Sequence, residues 1–169
     1  MDKDLVSTIV CISSALVVSV SIASFFIAYS QMRIASVRTK LDLYNKRFNI
    51  YLTALDLYQA TWHETHERIR GKSIEFTRSY RESSFLFDVK DGVYETLGKI
   101  QQNAATIYGY EKMKSDIENG ESSDRDALSA LHSSSIRARD EFTSNLTLFE
   151  QQLKKYIQFT NIKGWKLFG

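Results

Sequence analysis

Residues Leu5 to Tyr29 run for 25 positions without one charged side chain. At about 1.5 Å of rise per residue, a helix of that length outspans a hydrocarbon core of roughly 30 Å. Such a core offers no water to backbone N–H and C=O groups, and a single unbroken helix pairs them internally. The run predicts one transmembrane helix over residues 5–29, with residues 1–4 as a short N-terminus on the far side. A signal peptide is the competing reading. It needs a basic leading region, an apolar stretch of about 7–15 residues and small residues at a cleavage site. Here the lead is Asp2-Lys3-Asp4, the run is longer, and it closes on Phe25-Phe26-Ile27-Ala28-Tyr29. Aromatic rings at that end suit an interfacial belt, so a retained single-pass anchor is expected.

Charge sets the orientation. The basic residues Arg33, Arg38, Lys40, Lys46 and Arg47 follow the run, against Asp42 as the one acid among them. Positive charge stays on the cytoplasmic side, which predicts an inner (plasma) membrane protein with its N-terminus outside and residues 30–169 in the cytoplasm. The same collar can hold anionic lipid headgroups. Within the span, Ser7, Cys11, Ala15, Ser19 and Ala23 recur at every fourth residue, a ridge of small side chains that lets a second helix approach closely. Their other reading is a serine- and alanine-rich helix whose hydroxyls bond back to their own carbonyls. No ionisable residue interrupts the span, so nothing marks an ion pathway.

Composition narrows the remainder. The 169 residues contain no proline, where average usage near 5% predicts about eight. Proline is costly inside helices, so its absence fits a chain that is helical almost throughout. A net charge of +2 gives no strongly basic surface for nucleic acid. The lone Cys11 excludes an intramolecular disulfide.

From Ile34 the apolar residues step by three and four: Val37, Leu41, Tyr44, Phe48, Tyr51, Leu55, Tyr58 and Trp62. That is a heptad seam, either of a coiled coil or of a bundle. Its later members are aromatic, which favours a mixed core over a tight two-stranded seam. Leu43, Ile50 and Leu57 widen the face further. The expected first helix covers about 31–70 and stops at Gly71 in a left-handed cap. Asp88 is read as the N-cap of a second helix over 88–118, closed by Asn119-Gly120. Ser122, Ser123 and Asp124 open a third over 123–160, with Ser133 to Ser135 as a polar interruption. Residues 72–87 are left as a connection that can hold a short helix, and 161–169 as a basic and aromatic tail. The expected fold is all-α: one transmembrane helix continuing into a cytoplasmic antiparallel three-helix bundle.

The block Lys40-Leu41-Asp42-Leu43-Tyr44-Asn45-Lys46-Arg47-Phe48-Asn49-Ile50-Tyr51 resembles a K-L-x-L-(F/Y)-x-(K/R)-R-F-x-(V/I)-(F/Y) pattern of small bacterial and prophage membrane proteins. Phe85-Leu86-Phe87 before an amphipathic helix is similar to that group as well. The resemblance implies a bacterial inner-membrane protein with a helical cytoplasmic domain, and it brings no catalytic motif.

Chemistry is sparse. Trp62-His63-Glu64-Thr65-His66-Glu67 contains H-E-x-H, one residue short of the H-E-x-x-H that sets two imidazoles on one helical face. His63, His66 and Glu67 could still hold a metal adventitiously, but a solvated helix end explains them at least as well, and no metal, catalytic or cofactor residue is assigned. His132 stands alone among serines. The reading excludes an enzyme, a small-molecule substrate and nucleic acid. It expects membrane lipids and either a protein partner or a homo-oligomer. The favoured function is an anchored helical adaptor or regulator. The alternative is a self-oligomerising effector of the exclusion or toxin type, working through the small-residue ridge.

Overall fold

The computed structural model describes residues 3–63, 65–121 and 124–157, together with their side chains except at 3–11, 15 and 63. The chain is all-helical. Its elements are α1 (Lys3–His63), α2 (His66–Leu86), a 3₁₀ turn (Val89–Asp91), α3 (Val93–Glu118) and α4 (Arg125–Ile157). No strand occurs among the described residues. The chain divides into two compact units, Met1–Asp42 and Leu43–Gly169.

The first unit is a helix with no cover of its own. Every described side chain from Ile12 to Asp42 is exposed. Phe25, Phe26 and Val20 are open to 69%, 64% and 64% of their surface. A core helix of a soluble protein can match this length and apolarity, but it is buried, and here none of the apolar window is. Ser21 satisfies its hydroxyl against the Val17 carbonyl at 2.8 Å, as hydroxyls on exposed helices do.

The second unit folds around one core. From α1 it takes Ile50, Ala54 and Leu57; from α2, Phe76; from α3, Val93, Leu97, Ile100, Ala104 and Ile107; from α4, Ala138, Phe142, Leu146, Phe149 and Leu153. The steps of three and four along each helix stack these residues on one face. Cross-contacts give the directions. Lys72 meets Asp56 at 3.1 Å, and Arg47 meets the Leu86 carbonyl at 2.9 Å, so α2 runs back along α1. Gln101 bonds Thr77 at 2.9 Å, which sets α3 against α2. Tyr51 reaches Glu150 at 2.9 Å, and Tyr58 lies 3.2 Å from Thr143, so α4 is antiparallel to α1.

Four antiparallel segments thus share this core, where the sequence predicts three. The difference begins at the first reversal. Gly71 does not cap a helix; it lies inside α2, with open space where a Cβ would stand. The chain turns earlier, at Thr65, which is extended (φ −65°, ψ 154°). Its carbonyl then accepts from the N–H groups of Arg68 and Ile69 at 3.0 and 3.1 Å. Of residues 72–87, expected as a connection, 72–86 form most of a 21-residue helix and Phe87 is its extended cap. Asp88 caps the 3₁₀ turn, its side chain accepting from Lys90 N at 3.0 Å. Helix α3 starts only at Val93, behind Gly92 at φ +67°. The polar interruption at 133–135 does not break α4, because Ser133, Ser134 and Ser135 bond the carbonyls of Ser129, Ala130 and His132.

The buried line of α1 also differs from the heptad seam. Ile34, Val37 and Leu41 belong to the first unit and are exposed by about half. Trp62 is 45% exposed, and Tyr44, Phe48, Tyr51, Leu55 and Tyr58 are half-buried. The fully enclosed positions are Ile50, Ala54, Leu57 and Ala60. Large rings with hydroxyls belong at the flank, where Tyr51 and Tyr58 lie on Phe149 and Phe142 while their hydroxyls keep polar partners. Truncating Leu57 to Ala should cost about 2–5 kcal/mol of unfolding free energy, whereas Leu41→Ala should stay within about 0.5 kcal/mol, measured by denaturant titration of the full chain in detergent.

Candidate functional site

A cluster of polar side chains lies where α1 meets the α2–α3 turn and the last turn of α4. Arg47 Nε donates to the Leu86 carbonyl at 2.9 Å. The last carbonyls of a helix have no partner within it, so this bond closes the end of α2. The guanidinium lies 4.4 Å from the Tyr156 ring centroid and 5.7 Å from that of Phe87. Those two rings meet edge to face at 5.0 Å. Cation–π contacts of this kind strengthen as the cation leaves water.

The far side of the Tyr156 ring carries the network onward. Its hydroxyl accepts from Asp88 N at 3.1 Å and donates to the Asp91 carboxylate. Lys155 Nζ contacts both Asp91 oxygens, at 2.7 and 2.9 Å. Gln152 Nε2 donates to the Asp91 carbonyl at 3.0 Å. A Cβ on Gly92 would sit 3.5 Å from that same amide nitrogen, and the left-handed φ is strained for any side chain there. The charges respond accordingly. Burial lowers the Arg47 pKa, partly offset by Tyr156. The Lys155 ammonium, and then the Tyr156 hydroxyl, hold Asp91 below its ordinary carboxylate value. Burial, and then Asp91, raise Tyr156. At neutral pH the ring is therefore a neutral donor between a cation and a carboxylate.

A second arginine works at the C-terminal end of α1. Arg139 pairs with Glu111 at 2.8 Å, their side chains 16% and 24% exposed. It also donates to the Thr61 carbonyl at 3.2 Å and to Ser135 Oγ at 3.3 Å. This ties the last turn of α1's long helix to α3 and α4. Both arginines fill the same need, a helix C-terminus with unpaired carbonyls.

The residues singled out in the sequence are dispersed. The side chains of Ser7, Cys11 and Ala15 lie outside the described residues, while Ser19 and Ala23 are exposed on α1. Arg33, Arg38 and Lys40 are exposed in the first unit. Lys46 is exposed and 3.8 Å from Glu82. Arg47 departs from this group, since it is drawn into the clasp. The His63 side chain and Glu64 lie outside the described residues; His66 rests against Tyr108, with ring centroids 6.4 Å apart. His132 is exposed beside Tyr110, at 5.2 Å. Among the described residues, no three His, Cys, Asp or Glu side chains converge on a point that could hold a metal.

The surface of the second unit carries concavities between its helices. An apolar cleft of about 330 Å³ between α1 and α4 is lined by Phe48, Tyr51, Leu153 and Ile157. A wider, more polar groove of about 550 Å³ lies between α3 and α4, along Gln102, Thr106, Arg137 and Glu141. Comparison with protein-family models, with curated proteins and with solved structures finds no match to this chain.

Sequence reasoning assigned Arg47 to the basic collar, read Asp91 as part of a helix cap and Tyr156 as part of an apolar helix face, and gave Arg139 no role. Arg47 and Tyr156 are 109 positions apart, and no local spacing announces such a pair. The only signal was Arg47 standing on the widened apolar face of its helix, beside Leu43 and Ile50.

Replacing Arg47 by Met should destabilise the second unit by about 1–3 kcal/mol, since the Leu86 carbonyl loses its donor. If Arg47 is only a surface charge, the loss will be negligible. Acid should act through Asp91. A carboxylate whose folded pKa is depressed adds stability above its unfolded pKa and loses it as pH falls through the folded one. Asp91→Asn should therefore be less stable than wild type at neutral pH, with the gap closing on acidification below the ordinary carboxylate range; thermal melts across pH will show it.

Proposed function

We propose that this chain is a membrane-anchored helical interaction protein, which presents the bundle of residues 43–157 to a partner at the cytoplasmic face of a bacterial inner membrane. The observation that carries the reading is the composition of α1. One helix holds an uncovered, uncharged stretch long enough to cross a bilayer and also supplies Ile50, Ala54 and Leu57 to a separate folded core. Exposed apolar surface on that scale is costly in water and is removed by lipid. Retention of the stretch as an anchor, rather than its removal as a signal sequence, follows from the long apolar run and its aromatic end. The resemblance of residues 40–51 to small bacterial and prophage membrane proteins points to the same setting.

The polar clusters favour binding over catalysis. Arg47, Asp91 and Tyr156 hold one another, and Arg139 is engaged with Glu111, Ser135 and the last turn of α1. Each is tied into support of the fold. The exposed grooves along α1–α4 and α3–α4 offer surface to a partner.

The orientation follows from Arg33, Arg38 and Lys40. Changing all three to Glu should invert or abolish membrane insertion, read by protease accessibility of the bundle in right-side-out vesicles. For the partner, in vivo crosslinking and affinity capture of the full-length protein should recover a foreign protein in stoichiometric amount. That recovery should fall when exposed positions of the α3–α4 groove, such as Gln102 and Arg137, are altered. Recovery of this chain alone, in a defined multimer, overturns the adaptor and favours the self-assembling effector.

A further inference from the structure

Within the first unit, the part of α1 that follows the uncharged run carries an uncovered apolar line. Ile34, Val37 and Leu41 step by three and four, and they are 55%, 50% and 49% exposed. Beside the line is a hollow of about 350 Å³, lined by Gln31, Ile34, Ala35 and Arg38. Residues spaced i, i+3, i+4 and i+7 are the four that receive one side chain of a facing helix in knobs-into-holes packing. Ile34, Val37, Arg38 and Leu41 repeat that spacing, so two such holes adjoin and share Ile34 and Arg38. The shape suits a helix.

Charge selects which helix. Over residues 30–42 the cations Arg33, Arg38 and Lys40 stand against Asp42 as the single acid. Arg33 and Lys40 flank the line on one side and Arg38 on the other, while Asp42 lies further round the helix, beyond Arg38. None of the three cations has an ion pair among the described residues.

Three other occupants fit less well. Two copies anchored in one membrane pair in parallel, and Arg33 of each helix would then face Arg38 of the other across the seam, which opposes pairing. The chain's own residues 158–169 bring Lys163 and Lys166 and no acidic side chain. Lipid covers only the start of the line. Leu41 stands twelve positions past Tyr29, about 18 Å of helix, whereas the headgroup layer is roughly 5–7 Å deep.

We propose that residues 31–41 of α1 dock an acidic amphipathic helix of a second protein. Its apolar residues, at three-four spacing, enter the two holes, and its flanking Asp or Glu side chains meet Arg33, Arg38 and Lys40. The proposal rests on the membrane-anchored reading above, which sets this segment just clear of the lipid.

The probe is a synthetic peptide of about three heptads, with Ile and Leu at its core positions and Glu at both flanks; a Lys-flanked peptide is the control. Binding to the full chain in phosphatidylcholine nanodiscs is read by fluorescence anisotropy. The Glu peptide should bind at least about tenfold tighter than the Lys peptide. Val37→Gln with Leu41→Gln should weaken it by about tenfold, and Arg38→Gln by about threefold. Gln102→Ala, in the α3–α4 groove, should change nothing. Equal binding of the two peptides, or binding indifferent to the α1 variants, overturns the proposal. In a Cys11→Ser background, Val37→Cys separates the other occupants. Rapid disulfide formation between copies in liposomes assigns the line to a second copy. Quenching of a fluorophore there by phosphatidylglycerol bearing a headgroup nitroxide assigns it to lipid, and either result overturns the proposal. A fluorophore on Phe26→Cys should be quenched by deep nitroxides. If it is quenched and the Glu peptide is not preferred, the anchor stands and the proposal alone falls. If it stays water-like, the anchored reading fails and takes the proposal with it.

Discussion

Helix ends, more than helix faces, decide how this bundle holds together. A helix leaves its last carbonyls unpaired, and burying such an end without a donor is costly. Here two arginines supply the donors. Arg47 reaches from α1 to the end of α2, and Arg139 reaches from α4 to the end of α1. Each is also committed elsewhere, Arg47 to aromatic rings and Arg139 to Glu111. An aliphatic core tolerates some sliding of one helix along another. A guanidinium bonded to one particular carbonyl does not, and so the two arginines fix the register of α1 against its neighbours.

The clasp around Arg47 depends in turn on Tyr156. A phenylalanine there would keep the ring beneath the guanidinium but lose the bonds to Asp88 N and Asp91. The 3₁₀ turn would then lack the contact that orients it. The same reasoning explains Gln152, whose amide donates to the Asp91 carbonyl while its own buried oxygen finds no partner among the described residues. One orphaned acceptor is tolerated in exchange for a fixed turn.

Helices α1, α3 and α4 were well marked in the sequence, because periodicity is local and an absence of proline is global, whereas most of α2 was read as a connection. The spacing of Val93, Leu97, Ile100, Ala104 and Ile107 states the core face of α3 directly. What misled was Gly71. Glycine near the end of an apolar pattern suits a helix cap, yet at Gly71 nothing in the chain requires a left-handed residue. The true reversal at Thr65 carries no glycine or proline and depends on α2 finding its place beside α1, a tertiary effect. The seam of α1 was misplaced for a related reason. Tyrosine and tryptophan count as apolar in a heptad, but their polar atoms draw them to the flank, and the alanines between them take the centre. Arg47 was illegible because its partners come from two distant segments, the end of α2 with Phe87 and the last turn of α4.

That assembly has a consequence for the order of events in the living chain. Tyr156 is translated 109 residues after Arg47. At the usual pace of synthesis, the gap is on the order of 5–20 s. During that interval Arg47 has no ring to rest on, the 3₁₀ turn has no hydroxyl to orient it, and the α2 end stays open. The uncharged N-terminal run, by contrast, leaves the ribosome early and complete. The lock at the α2–α3 turn is therefore among the last contacts of the described residues to form.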